Sequence, residues 1–271
     1  MTPAATDRSE VRWNPGDYAA NSSPQLAWAR ELIAQLDLRG DEHLLDVGCG
    51  DGKVTAEIAG ALPRGQATGI DASPHMIEFA QRTFPAKRFP NLEFHVMDAR
   101  RIRFAQKFDA LFSNAAVHWV DDHQAFLRGA AEVLRPGGRL IVSCGGKGNA
   151  HDVFLALRPE MRLKRWREFF RKMPAPYFFF APADYEKWLP RFGFKSARVE
   201  LAPKDATYAG RDGLAAWLRT TWLPYTQRVP EPLREQFIAA VTDRYVAKHP
   251  PDAGGLVHVR MVRLEIDATR S

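Results

Sequence analysis

The sequence predicts an α/β protein built on a mostly parallel sheet with helices on both faces. Three observations carry that prediction. Short apolar runs alternate with helix-period segments from residue 24 to residue 145. Leu44-Leu45-Asp46-Val47 is apolar in the way a strand buried on both faces must be. That strand breaks at once into glycines at alternate positions, Gly48, Gly50 and Gly52, and then into a helical segment from Lys53. Strand, glycine turn and helix in this order open a nucleotide-binding α/β unit.

Taken in order, residues 1–10 are small and polar and read as a mobile tail without a signal-peptide core. Trp13 and Tyr18 follow, either as a staple on the domain surface or as a lid over a ligand. Ser23-Pro24 is a helix start, an N-cap followed by a first-turn proline. Leu26, Ala29, Ile33 and Leu36 then form the apolar stripe of a helix near 24–37. Strands are predicted near 43–47, 66–71, 92–98, 108–113 and 139–144, and further helices near 52–61, 74–83 and 122–134. Ser73-Pro74 caps the third helix as Ser23-Pro24 caps the first. The fourth ends at Arg135-Pro136-Gly137-Gly138, a basic last turn followed by breakers.

Beyond Cys144 the regularity changes. Gly145-Gly146-Lys147-Gly148-Asn149 reads as a flexible exit. Residues 150–172 read as one helix rich in Arg and Lys, with Phe154, Leu155, Met161, Trp166, Phe169 and Phe170 set among them. An aromatic run follows, Tyr177-Phe178-Phe179-Phe180, then a helix at 183–189, a strand at 197–201 and helices at 211–219 and 231–248. The last strand spans Leu256 to Ile266. Its alternation holds through Val257, Val259 and Met261 and slips near Val262, which reads as a bulge or a sheet edge.

The chain has 271 residues and 45% hydrophobic content, enough for one large domain or a domain with a sizeable insertion. No apolar run is long enough to span a bilayer. Cys49 and Cys144 fall at the ends of two predicted strands and offer neither a disulfide framework nor zinc spacing, which points to a reducing cytoplasm. The eight histidines do not pair at metal-ligand spacing, so no metal is expected. A net charge of +6 and a pI of 9.4 leave anionic substrates and nucleic acid open. Oligomeric state is not encoded in any visible pattern.

The glycine turn selects among nucleotides. Its spacing is G-x-G-x-G, not the dinucleotide fingerprint G-x-G-x-x-G. Lys53 suggests a phosphate-binding loop, but Val47 stands where that loop needs its first glycine and Val54 where it needs Ser or Thr. Asp71 closes the next strand, in Gly69-Ile70-Asp71, at the distance from which an acid accepts hydrogen bonds from ribose hydroxyls. The glycines allow positive φ and close approach to backbone, and the helix behind them offers free N–H groups.

At these residues the chain resembles the class I S-adenosylmethionine-dependent methyltransferases. Asp46-Val47-Gly48-Cys49-Gly50-Asp51-Gly52 resembles their first motif and Gly69-Ile70-Asp71 their second. Met97-Asp98-Ala99, Phe108-Asp109-Ala110-Leu111-Phe112-Ser113-Asn114 and Leu134-Arg135-Pro136-Gly137-Gly138-Arg139-Leu140 continue the series in family order, so that the likeness covers roughly residues 11–145. The resemblance implies a Rossmann-like sheet of seven mostly parallel strands, the last antiparallel and inserted beside the fifth. It also implies a cofactor-binding core at 1–145, a helical cap inserted at 146–182, and a C-terminal part of the sheet at 183–271 carrying a second cap insertion at about 203–255.

S-adenosylmethionine is the cofactor implied. Asp46, Gly48, Cys49 and Gly50 would line it. Asp71 with Ala72 would hold its ribose, and Met76, Asp98 and Ala99 its adenine. Asn114 would face its methyl end, and Trp13 and Tyr18 would close over it. Trp-x-x-x-x-Tyr ahead of the first helix resembles the trans-aconitate group. Asn21-Ser22-Ser23-Pro24-Gln25 resembles the juvenile hormone acid group, which makes Gln25 a substrate-binding candidate. Ser113-Asn114-Ala115-Ala116-Val117-His118-Trp119 is not the Asn-Pro-Pro-Tyr motif of amino-group methylation. It resembles carboxyl methyltransferases, with Trp119 and His118 as substrate-pocket candidates and His118 as the base if one is needed.

The reading is therefore methyl transfer to a small anionic acceptor, most plausibly a carboxylate, with no membrane and no nucleic acid as partner. A carboxylate needs no general base, because it is already ionised at neutral pH. Three competing readings stand beside it: an RNA-modifying methyltransferase, from the basic segment 158–172; an acceptor of natural-product or lipid-like character, from the aromatic run; and a non-catalytic cofactor-binding protein.

Overall fold

The structure is a computed structural model, and it describes residues 23–271. Trp13, Tyr18, Asn21 and Ser22 lie outside the described residues. Gln25 lies in the first described helix, with its side chain outside what is described.

Seven strands form one sheet among the described residues: β1 (His43–Val47), β2 (Gln66–Asp71), β3 (Leu92–Val96), β4 (Phe108–Asn114), β5 (Leu134–Gly145), β6 (Phe194–Ala209) and β7 (Leu256–Arg270). Their order across the sheet is β3-β2-β1-β4-β5-β7-β6. The first five run parallel, and β7 pairs antiparallel with β5. This is the Rossmann-like, mostly parallel arrangement expected, with the last strand in sequence inserted beside the fifth.

Period-two alternation explains how two cores form on one sheet. Leu44, Ala67, Ala110, Phe112 and Ile141 face one side, where α1 (Ser23–Ala34), α2 (Lys53–Gly60) and α3 (Pro74–Thr83) pack with Ala29, Leu32, Ile58 and Ile77. Leu45, Val47, Leu111, Leu140 and Val142 face the other, against α4 (His123–Val133) and α6 (Pro182–Trp188). Leu44 and Leu45 are adjacent and both fully buried, which only a strand covered on both faces allows. Local signals set the helix starts. Ser73 Oγ accepts the Met76 N–H and Asp122 Oδ1 accepts the Ala125 N–H.

Contacts divide the described residues into two compact units. One comprises 23–149, 177–203 and 262–271; the other comprises 150–176 and 204–261. The second contains α5 (His151–Arg162), α7 (Gly210–Thr221), α8 (Leu223–Thr226) and α9 (Glu231–Val246). Its interior is aromatic and aliphatic: Trp166 and Phe170 pack on Phe237, and Phe154 on Trp222. Glu160, 4% exposed, receives Arg244 at 2.6 Å and Arg165 at 3.3 Å.

Four sequence expectations need correction. The helix expected over 150–172 stops at Arg162, and a 3₁₀ turn follows at Arg167–Phe170. Leu163 turns extended there so that Trp166 and Phe170 can be buried together on Phe237. The strand expected at 197–201 is the middle of the longer β6. It is an edge strand with mostly exposed residues, so little apolar alternation marks its ends. The strand expected at 139–144 begins earlier, at Leu134, with a register break against β4 between Phe108 and Ala110. Of the two readings of the slip near Val262, the bulge does not hold, since the β5–β7 ladder runs unbroken from Arg263 to Thr269, and the edge of that ladder does. It marks where β7 gains β5 as a neighbour, and from Arg263 to Ile266 every residue is buried.

Candidate active site

Sterics require the glycine turn after β1. Gly48, Gly50 and Gly52 have φ of +78°, +55° and +81°, the left-handed region that side chains avoid. A Cβ on Gly48 would lie 2.1 Å from the Cβ of Ala116. The Gly48 and Cys49 N–H groups both donate to the Ile70 carbonyl, at 2.7 and 3.0 Å, which ties the turn to the end of β2.

There Asp71 accepts the Gly50 N–H at 3.1 Å and the Ser73 N–H at 2.8 Å. Burial raises its carboxyl above the usual range against those two bonds. Asp46, 2% exposed, accepts the Thr55 hydroxyl at 2.7 Å. Burial pushes its carboxyl up to about 7; the Thr55 bond opposes this, and the charge of Asp71 adds to it. Asp51 Oδ2 is buried without a hydrogen-bond donor, with Lys53 Nζ 3.6 Å away. Three carboxylates around one glycine turn suit a ligand that brings hydroxyls and positive charge. They do not suit a pyrophosphate.

The loop after β4 lies against this turn through Ala116. Ser113 Oγ donates to the Val47 carbonyl at 2.7 Å, and the Ala115 N–H donates to Ser143 at 2.8 Å. Ala115 takes a left-handed φ of +57°, and the chain then winds into a 3₁₀ turn at Val117–Trp119. His118 Nδ1 accepts the Gly145 N–H at 3.2 Å. Burial first, then the charge of Arg263, then His123 hold its imidazole far below the usual histidine range. A neutral ring whose Nδ1 lone pair is taken carries its proton on Nε2 and is a donor there.

An aromatic wall stands beside it. Trp119 meets Tyr177 edge-on at 4.7 Å, and Tyr177 stacks on Phe179 at 5.6 Å and 11°. The Phe178 N–H donates to the His118 carbonyl at 2.8 Å. Arg263, 4% exposed, reaches the end of β4 from β7. Its Nη2 donates to Asn114 Oδ1 at 3.1 Å and to the Ser143 carbonyl at 2.5 Å, and its Nε donates to Ser143 Oγ at 3.1 Å. The Trp28 ring of α1 lies under its guanidinium at 5.5 Å.

Residues 44–138 match a family described as a methyltransferase domain. Across 96% of this chain and the full length of the relative, the sequence is 31% identical to a trans-aconitate 2-methyltransferase of Agrobacterium fabrum. The chain belongs to the class I S-adenosylmethionine-dependent methyltransferases. A trans-aconitate 2-methyltransferase of Deinococcus radiodurans is 29% identical over 96% of this chain and 99% of its own. The fold is shared with the magnesium protoporphyrin IX methyltransferase of Synechocystis, solved with bound S-adenosylhomocysteine. That likeness has a TM-score of 0.55 at 16% identity, over 94% of this chain and 86% of that one.

The cofactor of this methyltransferase is S-adenosylmethionine, and the carboxylate set at the glycine turn fits it. Asp46, Gly48, Cys49, Gly50, Asp71 and Ala72 come together at the carboxyl ends of β1 and β2. Met76, 4% exposed, lies in the first turn of α3. Asp98 stands two residues past β3, where it caps the 3₁₀ turn Ala99–Arg101 and is gripped by Arg100 at 2.6 Å. Asn114 ends β4, and His118 and Trp119 lie in the loop that follows.

Sequence reasoning missed Tyr177 and Phe179 as neighbours of Trp119, because the aromatic run reads there as part of an insertion. It also missed Trp28, Ser143 and Arg263. A signal for Arg263 existed, since an arginine at the phase slip of an apolar strand marks a charge held inside the sheet.

Proposed function

We propose that this methyltransferase esterifies a carboxylate of a small anionic acceptor. The observation that carries the reading is the state of His118. With Nδ1 occupied by the Gly145 N–H, the ring is a hydrogen-bond donor through Nε2, not a resting general base. An acceptor that must lose a proton, such as an alcohol or ammonium, would find no base at this loop; a carboxylate needs none.

S-adenosylmethionine, when bound, supplies a methyl on a positively charged sulfur, so that a carboxylate oxygen forms its O–CH3 bond as the S–CH3 bond breaks, and no proton is released. The chain's own part is to bind, align and exclude water, and alignment of two bound reactants lowers barriers by up to roughly 7–11 kcal/mol. Asp71 would hold the ribose hydroxyls, Asn114 the methyl end, and His118 Nε2–H an acceptor oxygen. Trp119 with Tyr177 would form an apolar wall, and Gln25, from the start of α1, would give an amide donor to the acid. The trans-aconitate 2-methyltransferase relatives support a small acidic acceptor.

The RNA reading draws on the basic segment 158–172, but several of these cations have partners within the chain. Arg158 lies over Phe154, Arg165 lies over Trp166, and Arg165 also meets Glu160. The test is product analysis with trans-aconitate and other organic acids across pH 6–9. A base-labile methyl ester is expected. Methylation on nitrogen would refute the reading.

A further inference from the structure

One guanidinium bridges two carboxylates at the carboxyl edge of the sheet. The Met97 N–H donates to the Asp71 carbonyl at 2.9 Å, so the chain leaving β3 passes beside the acid that ends β2, and Asp98 is the next residue. In the sheet β2 lies between β1 and β3. A nucleoside with its ribose at Asp71 and its methyl end toward Asn114 in β4 therefore directs its base toward β3. A carboxylate accepts hydrogen bonds and gives none, and the 6-amino group is the donor on the adenine edge. Arg100 turns inward here, while Arg101 and Arg103 are exposed. Its Nε donates to both Asp98 oxygens at 3.1 and 3.0 Å, its Nη2 to Oδ2 at 2.6 Å, and its backbone N–H to Oδ1 at 2.8 Å. Its Nη1 donates to the two oxygens of Asp121 at 3.1 and 3.3 Å. The side chains of Arg100, Asp98 and Asp121 are 22%, 29% and 26% exposed, so the bridge escapes much of the solvent screening that makes surface pairs weak.

The backbone of this turn has other supports. The Arg101 N–H donates to the Asp98 carbonyl at 2.8 Å. Ile102, 1% exposed, packs at Gly129 of α4, where an added Cβ would lie 3.0 Å from the Ile102 Cβ. What the guanidinium alone fixes is the Asp98 carboxylate. Without it, two acids on either side of its place would repel each other, and Asp98 would turn toward water. We propose that Arg100 is a positioning residue for the cofactor, holding the Asp98 carboxylate in one orientation at the 6-amino edge of adenine. A planar fork suits that duty, since it sets the plane of the carboxylate as well as its place. An acceptor group held in advance spends less of the binding energy on ordering. The inference concerns the cofactor end and stands apart from the carboxylate reading of the acceptor.

The experiment compares the full-length protein with its Asp98→Ala, Arg100→Met and Arg100→Lys variants. Calorimetry measures binding of S-adenosylhomocysteine and of its analogue that lacks the 6-amino group. The wild type should prefer S-adenosylhomocysteine by about tenfold or more, the loss expected for one charge-assisted hydrogen bond. Asp98→Ala should abolish that preference. Arg100→Met should reduce it to about threefold or less, while its affinity for the analogue stays within about threefold of the wild type. Arg100→Lys should fall between, since a point charge replaces the fork.

A wild type without the preference, or an Asp98→Ala protein that keeps it, would take Asp98 off the adenine edge and overturn the proposal. An Arg100→Met protein with the full preference would overturn it as well. So would an equal loss of affinity for both ligands in Arg100→Met, because an arginine that only supports the fold cannot tell a purine with the amino group from one without it.

Discussion

Replacing Gly48 by alanine tests whether the cofactor turn and the acceptor loop are one packed unit. The new Cβ would lie 2.1 Å from the Cβ of Ala116, far inside contact distance, and 3.5 Å from its Cα, which is ordinary contact. Two costs add. Alanine in the left-handed region costs about 1–2 kcal/mol, and overpacking of this kind about 1–3 kcal/mol. Gly48→Ala should therefore lose roughly 2–5 kcal/mol of stability. Ala116→Gly alone should cost about 0.5–1 kcal/mol in chain entropy.

In the double variant the clash is gone and only the backbone and entropy costs remain, about 1.5–3 kcal/mol together. The two sites should then show a favourable coupling of roughly 1–3 kcal/mol in a double-mutant cycle. Urea unfolding of the four proteins measures it, with S-adenosylhomocysteine calorimetry alongside. Gly48→Ala within about 0.5 kcal/mol of the wild type, or strict additivity in the cycle, would refute the reasoning.

Other outcomes follow from the same geometry. Asp71→Ala should weaken S-adenosylhomocysteine binding tenfold or more by calorimetry, because each charge-assisted bond to a ribose hydroxyl is worth about 1.5–3 kcal/mol; equal affinity would remove Asp71 from the cofactor site. Asp46 has a folded carboxyl near 7, above the roughly 3.9 of an unfolded chain. The native state thus holds that proton more tightly, and the stability this gives is complete below about pH 4 and lost as pH rises through about 7. Urea unfolding from pH 4 to 9 should show the wild type losing on the order of 4 kcal/mol relative to Asp46→Asn; parallel curves would contradict the buried carboxyl. Gln25→Ala and Trp119→Ala should each raise KM for the acid with S-adenosylhomocysteine affinity nearly constant, and a fall in cofactor affinity instead would move either residue to the cofactor side.

The glycine turn, Asp71, the positions of the first five strands and the capped helices were legible because each depends on neighbours in the chain. Alternate glycines demand positive φ, and Ser73-Pro74 caps whatever helix follows it. The double burial of Leu44 and Leu45 is written in their adjacency. The acid at the end of β2 needs only a fixed count of residues to reach the turn. Asp98 shows the limit of such counting. Its place after β3 could be read, yet its grip on Arg100 and the cap it makes on Ala99–Arg101 belong to the folded loop.

Local sequence alone thus determined an α/β sheet, a cofactor turn and the loop that follows β4, and likeness to a family supplied the cofactor's identity. Only the tertiary structure decided what faces that loop. Arg263 lies 149 positions from Asn114 in sequence, and it arrives there because β7 inserts antiparallel beside β5. Tyr177 and Phe179 arrive because the Phe178 N–H is held by the His118 carbonyl. His118 becomes a donor because one backbone N–H, that of Gly145 on the neighbouring strand, occupies its Nδ1. Such contacts join residues by pairing between strands, and no periodicity along the chain records which strand will lie beside which.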